Sequence, residues 1–189
     1  MTRLRKLHPA ELDEDQRAVY AAVAGGRRAQ GPQLFRLVDA DGGLEGPFNA
    51  FLLQPRLGFA LQSLGAAVRY ETGLTGRARE IAILVVSVDS DSAFEWYAHE
   101  AVGRHAGLTG EELEALRTGR YDALPDETER LIAATVHTLA TGGDLDDEQY
   151  AHAADVLGET TVFEVVTLVG YYLALALQLR VFRVGVPRP

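Results

Sequence analysis

Apolar residues recur at helical spacing along most of the chain. A clear example is the run Leu57, Leu61, Leu64 and Val68, where residues three or four apart fall on one face of a helix. Helix-start signals precede several such runs, including Thr75 and the capping box of Thr109 and Glu112, and glycines follow many of them. The pattern predicts an all-α protein.

The predicted helices follow one another with short connections. We expect them at about 9–25, 55–70, 76–91, 92–104, 110–118, 125–139, 146–157 and 161–180. A Gly-rich stretch at 25–47 breaks the periodicity and predicts a long loop. The length of 189 residues suits one domain. We therefore expect a single-domain helical bundle over 1–189, with an N-terminal helix and loop extension at 1–45 and a helical core at 46–183.

Two segments allow more than one interpretation. The run 81–88 is rich in β-branched residues, which is typical of a buried strand. The capped start at Thr75 and a length of about four turns favour a helix. The last helix has no charged residue between Glu164 and Arg180, which is a little short for a bilayer. We expect it to be buried in the domain or in an oligomer interface rather than in a membrane.

The composition of the chain excludes several classes of function. The net charge is −9, from 18 basic and 27 acidic residues, which argues against nucleic-acid or anionic-membrane partners. The chain has no cysteine, so thiol redox chemistry, disulfides and cysteine-ligated metals are excluded. No apolar signal core follows the basic N-terminus, and we expect a cytoplasmic protein.

The candidate chemistry lies in the helix predicted at 92–104. Glu95 and His99 are four residues apart and share one face, together with Ser92. Glu100 and Arg104 form a second pair on another face, which we expect in water. Because titratable residues rarely face an interior unless they are paired or functional, Glu95 and His99 are candidates for a site. The alternative is a buried Glu–His hydrogen bond that joins two helices.

These residues carry a resemblance to a known family. The sequence has Arg79-Glu80, an apolar run, Phe94-Glu95-Trp96 with His99, and then Ala106-Gly107-Leu108-Thr109. Together with Gly46-Pro47-Phe48, Pro55 and Leu64-Gly65 upstream, this pattern resembles the carboxymuconolactone decarboxylase family, best over residues 46–115. The resemblance implies an all-α fold of the alkyl hydroperoxidase D-like type and a homotrimer or homohexamer.

The resemblance also limits the reaction. Related hydroperoxidases carry Cys-x-x-Cys-x-x-x-His, and here Ser92 and Glu95 occupy the cysteine positions while His99 matches the histidine. Glu80 matches the acidic residue of the preceding helix. Serine cannot replace a redox thiol, so we expect no peroxidase activity.

By resemblance, the chain is a lyase acting on a small carboxylated or lactone-type organic acid. His99 would deliver a proton after loss of carbon dioxide, with Glu95 or Glu80 orienting the imidazole. Arg77 or Arg79 would bind the substrate carboxylate, although a local ion pair with Glu80 is the simpler role for either one.

The remaining predictions concern the residues that line the substrate pocket and the alternative of a metal site. Trp96 and Phe48 are candidates to line the substrate pocket, with a place in the core as the alternative. We expect no cofactor and no metal, although Glu80, Glu95 and His99 are ligand types that zinc or iron accept.

A non-catalytic oligomeric scaffold or binding protein is the rival hypothesis, with Glu80, Glu95 and His99 kept as a buried polar network. Access of a substrate to Glu95 and His99 distinguishes the enzyme from the scaffold. In an enzyme, Glu95 and His99 should line a cavity of roughly 300 Å³ or more.

Overall fold

A computed structural model of the chain describes residues 2–30 and 32–187. Within these ranges the secondary structure is helical, and no strand is found. The nearest approach to a sheet is an isolated antiparallel bridge between Val38 and Leu44. The all-α prediction is confirmed for the described part of the chain.

The chain divides into two compact units. The first contains residues 1–71 and 177–189, and the second contains residues 72–176. The division falls at 71/72 and inside the last helix. That the whole chain is one domain stays a prediction.

The first unit is built on α1 (Glu14–Ala24), α2 (Phe48–Phe51) and α3 (Pro55–Tyr70). Helix α3 packs against α1 and α2. The predicted start of α1 at Pro9 is wrong. Pro9–Glu11 forms only a 3-10 turn, because Asp13 and Gln16 make a reciprocal capping box that fixes the helix start.

The second unit contains α4 (Gly76–Asp89), α5 (Ala93–His105), α6 (Gly110–Arg117), α7 (Glu127–Gly142) and α8 (Asp147–Leu157). Helix α4 lies at its centre and packs against α5, α6 and α7. The predicted preference for helix over strand at 81–88 is confirmed. Thr75 caps α4 by accepting a hydrogen bond from the Ala78 amide at 3.1 Å, and residues 80 to 87 are all buried.

The last helix, α9 (Glu159–Phe182), runs through the division at 176/177. Val165 and Leu168 are fully buried, whereas Phe163, Val166 and Leu177 are exposed. By length and composition alone α9 could cross a membrane, but half of its most apolar window is buried inside the protein. Burial on one face and exposure of apolar residues on another fit a helix that packs in a protein core and leaves a face uncovered.

We expect Gly58→Ala to lower the free energy of unfolding by about 1–3 kcal/mol. A Cβ atom at Gly58 would lie 2.2 Å from the carbonyl oxygen of Phe51, so α2 and α3 would have to separate. Chemical denaturation measures the change.

The matched control is Gly142→Ala in α7, where an added Cβ has no atom within 4 Å. It should leave the free energy of unfolding within about 1 kcal/mol of the wild-type value or raise it. Equal losses in both variants would contradict the close approach at Gly58.

Candidate active site

The second unit brings together three predicted site residues. Glu80 comes from α4, and Glu95 and His99 come from one face of α5. All three are buried, with relative exposures of 0% for Glu80 and 4% for Glu95 and His99. The prediction that Glu95 and His99 point inward is therefore confirmed. Glu100 and Arg104 pair on another face of α5 at 2.9 Å, as expected.

His99 lies between the two carboxylates, and its two contacts differ in length. Nδ1 is 2.6 Å from Glu80 Oε2, a short hydrogen bond. Nε2 is 3.5 Å from Glu95 Oε2, which is longer than an ordinary N–H···O hydrogen bond. An Nδ1–H donated to Glu80 fixes the orientation of the ring, and the nitrogen that faces Glu95 is then the more loosely held one. The arrangement suits proton transfer at Nε2.

Two further side chains border this cluster. Arg79 Nε is 3.7 Å from Glu80 Oε1, so the local ion pair predicted for Arg79 is confirmed. Tyr172 of α9 meets His99 edge to face, with ring centroids 5.3 Å apart. The contact with Tyr172 was not predicted from the sequence. Its only signal is the pair Tyr171-Tyr172 in the charge-free stretch between Glu164 and Arg180, and nothing in that pattern indicates its partner.

Arg77 lies in a different ion-pair network. Its guanidinium contacts Glu112 at 2.6 Å and Glu129 at 3.0 Å, and it also donates to the carbonyl oxygen of Gly107. The predicted alternative of a pair with Glu80 is wrong for this arginine, because its guanidinium is held by Glu112 and Glu129 while Glu80 is bonded to His99. Burial acts to raise the pKa of Glu112, but hydrogen bonds from Arg77 and Thr109 outweigh it and hold that pKa below its usual value.

The two aromatic candidates have other neighbours. Trp96 stacks under the Arg117 guanidinium at 4.2 Å and donates its indole N–H to Glu100 at 2.8 Å. Phe48 belongs to the first unit, where it is buried and packs edge to face on Phe51. That either residue binds substrate stays a prediction.

A cavity of about 1080 Å³ in the second unit does not reach His99. Its lining includes Arg77, Glu112, Asp126 and Glu129, and contains neither Glu80 nor Glu95. With 4% exposure, Glu95 and His99 are closed off by side chains in this conformation. Over residues 2–30 and 32–187, no group of three or more His, Asp and Glu residues is arranged to hold a metal ion.

A second histidine–carboxylate pair was not anticipated. His137 Nδ1 lies 3.0 Å from both carboxylate oxygens of Asp89, and the Tyr121 ring packs on the imidazole. Burial raises the pKa of Asp89 despite the hydrogen bond from His137. Burial and the nearby Asp89 charge raise the pKa of Tyr121 to about 12. His137 is half exposed, unlike His99.

Comparison with known proteins supports the resemblance drawn from the sequence. Residues 55–135 match the model of the carboxymuconolactone decarboxylase family, which confirms that resemblance. This range contains Glu80, Glu95 and His99. No curated protein sequence matches the chain significantly.

Solved structures agree on the fold. An uncharacterized peroxidase-related protein with an alkylhydroperoxidase AhpD core, from Ralstonia eutropha JMP134, is 14% identical and covers 98% of this chain and 92% of its own, with a TM-score of 0.76. A variant of the debrominase Bmp8 in complex with 2,3,4-tribromopyrrole is 13% identical, with 99% and 92% coverage and a TM-score of 0.75. A protein of unknown function from Agrobacterium tumefaciens is 19% identical, with 77% and 100% coverage and a TM-score of 0.67. The alkyl hydroperoxidase D-like fold is thereby confirmed.

We expect Arg77→Gln to lower the free energy of unfolding at neutral pH by about 1.5–3 kcal/mol, because it removes charge-assisted hydrogen bonds between α4, α6 and α7. The folded pKa of Glu112 lies below its unfolded value of about 4.5. The contribution of the paired carboxylate is therefore complete above the unfolded pKa and is lost as the pH falls through the folded pKa. Denaturation curves of variant and wild type should converge in acid.

Arg104→Gln is the control, because Arg104 is half exposed and pairs with Glu100 at the surface. It should cost less than about 1 kcal/mol at any pH. A constant difference between Arg77→Gln and wild type down to the lowest pH would rule out the Glu112 pair as the source.

Proposed function

We propose that this carboxymuconolactone decarboxylase-like chain is an enzyme that transfers a proton during decarboxylation of a small carboxylated or lactone-type organic acid. The observation that carries the proposal is the unequal pair of contacts at His99, 2.6 Å from Nδ1 to Glu80 and 3.5 Å from Nε2 to Glu95. One carboxylate holds the ring, and the other faces the nitrogen that exchanges the proton.

His99, Glu95 and Glu80 have different roles in the proposed reaction. When the carbon–carbon bond to the substrate carboxylate breaks, its electron pair stays on the substrate carbon and carbon dioxide leaves. His99 then gives a proton to that carbon, and Glu95 and solvent restore the proton to His99. Glu80 is the positioning residue for the imidazole, and its charge is partly balanced by Arg79.

The substrate carboxylate needs a cation other than Arg77. Both Arg77 contacts to carboxylates are already made inside the protein, which weakens its candidacy as a substrate ligand. Arg79 keeps its Nε 3.7 Å from Glu80, beyond hydrogen-bond distance, and 19% of its side chain is exposed. We therefore favour Arg79 over Arg77 as the group that meets the substrate.

The peroxidase reaction is not part of the proposal. The chain has no cysteine, and a thiolate is the nucleophile in that chemistry. The similarity to AhpD-like structures concerns the fold at identities below 20%. The debromination named for Bmp8 belongs to that protein.

The rival hypothesis is a scaffold in which the same residues form a buried polar tie. One observation favours it: His99 and Glu95 are only 4% exposed, and the 1080 Å³ cavity lies elsewhere in the second unit. A buried hydrogen-bonded histidine that joins α4 to α5 would have a purely structural role.

Turnover by active-site variants tests the proposal. A carboxylated γ-lactone and an acetoacetate-type β-keto acid serve as substrates, with carbon dioxide release and deuterium uptake from heavy water as readouts. We expect His99→Ala and Glu95→Gln each to lower turnover by about 100-fold or more, because both take part in the proton transfer.

His137→Ala is the matched control, because His137 also pairs with a carboxylate but lies half exposed. It should retain wild-type turnover. Absence of carbon dioxide release from both compounds, or equal turnover in His99→Ala, would favour the scaffold hypothesis.

We also propose that the chain works as a homo-oligomer, a trimer or a dimer of trimers, in the cytoplasm. Apolar side chains remain exposed on α9, namely Phe163, Val166, Leu177 and Val181. Large apolar side chains left exposed in this way are typical of an interface. The family resemblance supports threefold symmetry.

Light scattering at low micromolar concentration measures the assembly. Wild type is expected at three or six times the chain mass of 20.5 kDa. Val166→Glu should shift it toward the monomer, because a charge in an apolar interface is costly. A monodisperse wild-type monomer would defeat this proposal.

A further inference from the structure

The start of α5 carries a hydroxyl group that its surroundings leave unused. Ser92 is the N-cap residue of α5, yet its side chain accepts no hydrogen bond from the first turn. Its Oγ is buried and, within residues 2–30 and 32–187, has no hydrogen-bond partner. Thr75 and Thr109, at the starts of α4 and α6, both cap their helices. A buried hydroxyl without a partner is costly unless something else binds it.

Two backbone donors lie beside this hydroxyl. The first amides of a helix have no carbonyl partner within the helix, and here they belong to Ala93 and Phe94. The Ser92 amide donates to the Ser87 carbonyl at 2.8 Å, and the Ser92 carbonyl accepts the Trp96 amide at 3.0 Å. The backbone on either side of these amides is thus held in place at the helix start. The Ala93 and Phe94 amides have no acceptor within the helix, and they follow directly on the Ser92 hydroxyl.

The register of α5 relates these donors to the Glu–His pair. Ser92, Glu95 and His99 stand at i, i+3 and i+7, so they share one face of the helix. All three are buried, with Ser92 at 7% exposure. Ser92 nevertheless lies between two exposed neighbours, Asp91 and Ala93. The Ser92 side chain is therefore on the same face of α5 as His99, and the residues before and after it in the chain are exposed.

The carboxyl groups near Ser92 determine which kind of oxygen can bind there. Glu95 lies on the same face, and Asp91 precedes the helix, so a permanent carboxylate at Ser92 would meet two like charges. A neutral carbonyl oxygen meets no such repulsion. It gains negative charge only during the reaction, when hydrogen-bond donors at a helix N-terminus are most effective.

We propose that the Ser92 hydroxyl and the amides of Ala93 and Phe94 form an oxyanion hole for the carbonyl oxygen of the substrate. This inference rests on the proposed function. Loss of carbon dioxide sends the electron pair of the broken bond through the α-carbon to the carbonyl oxygen, which becomes an enolate oxygen. The three donors stabilise that oxygen. The enolate then collapses, and its carbon takes the proton from His99, so that one proton from solvent is consumed for each carbon dioxide released.

Binding of a chromophoric phenol tests the proposed oxyanion hole, and this test requires no known substrate. Binding requires that α5 and its neighbours open enough for neutral 4-nitrophenol to reach Ser92, give its proton to the Glu–His pair and leave its oxygen there as a phenolate, which absorbs visible light. We expect saturable binding, an increased phenolate fraction in the bound probe, and shifts of the Ala93 and Phe94 amide resonances in ¹⁵N–¹H spectra. 4-Nitroanisole, whose oxygen carries a methyl group, should give none of the phenolate signal.

Ser92→Ala should weaken phenolate binding about tenfold or more, because a hydrogen bond to a charged oxygen is lost. For the lactone or keto acid that supports turnover, the same change should lower kcat by about 10²–10³-fold and leave KM almost unchanged. Ser90→Ala is the matched control. Ser90 is also buried, but its hydroxyl already donates to the Val86 carbonyl at 2.6 Å.

Protein stability separates this role from a structural one. Because Ser92 caps nothing, Ser92→Ala should not lower the unfolding midpoint, whereas a structural hydroxyl would. Absence of saturable 4-nitrophenol binding, or equal phenolate signals in wild type and Ser92→Ala, would overturn the inference. A phenolate signal that depends on Ser92, with no carbon dioxide release from either acid, would support the hole and reject the proposed reaction.

Discussion

The short hydrogen bond between His99 Nδ1 and Glu80 Oε2 is the contact on which the centre of the second unit depends. A carboxylate amid apolar side chains is costly unless it is paired. Glu80 is followed in α4 by Ile81 to Val85, all fully buried. The register of α4 against α5 must therefore keep position 80 opposite position 99. A shift of either helix by one residue would leave both polar groups buried without each other.

Polar residues of α4 join this helix to α5, α6 and α7. Arg77 contacts carboxylates from α6 and α7, while Arg79 and Glu80 belong to the cluster at His99. At the other end of α4, Asp89 pairs with His137 of α7. Directional contacts therefore hold both ends of the helix, and the apolar residues between them are closely packed.

Local features of this structure could be predicted from the sequence. The capping boxes, the helix at 81–88 and the inward face of Glu95 and His99 all depend on residues within one or two turns of each other. The place of Glu80 came from the family resemblance, because no periodicity links position 80 to position 99.

Contacts between distant residues could not be predicted in this way. The partners of Arg77 are 35 and 52 residues away in the chain, and His137 is 48 residues from Asp89. Helical periodicity says which face a residue occupies but not which helix that face meets. The same limit applies to the contact of Tyr172 with His99 and to the contact of Trp96 with Arg117.

The arrangement at Arg77 has a consequence for how substitutions combine. One guanidinium serves two carboxylates, so loss of Glu112 still leaves the bond to Glu129, and loss of Glu129 still leaves the bond to Glu112. Loss of both carboxylates leaves a partly buried cation whose hydrogen bond to the Gly107 carbonyl remains. The two positions are therefore energetically coupled, and a double mutant should be less stable than the sum of the single effects. In evolutionary terms, the first change at this junction is tolerated more easily than the second.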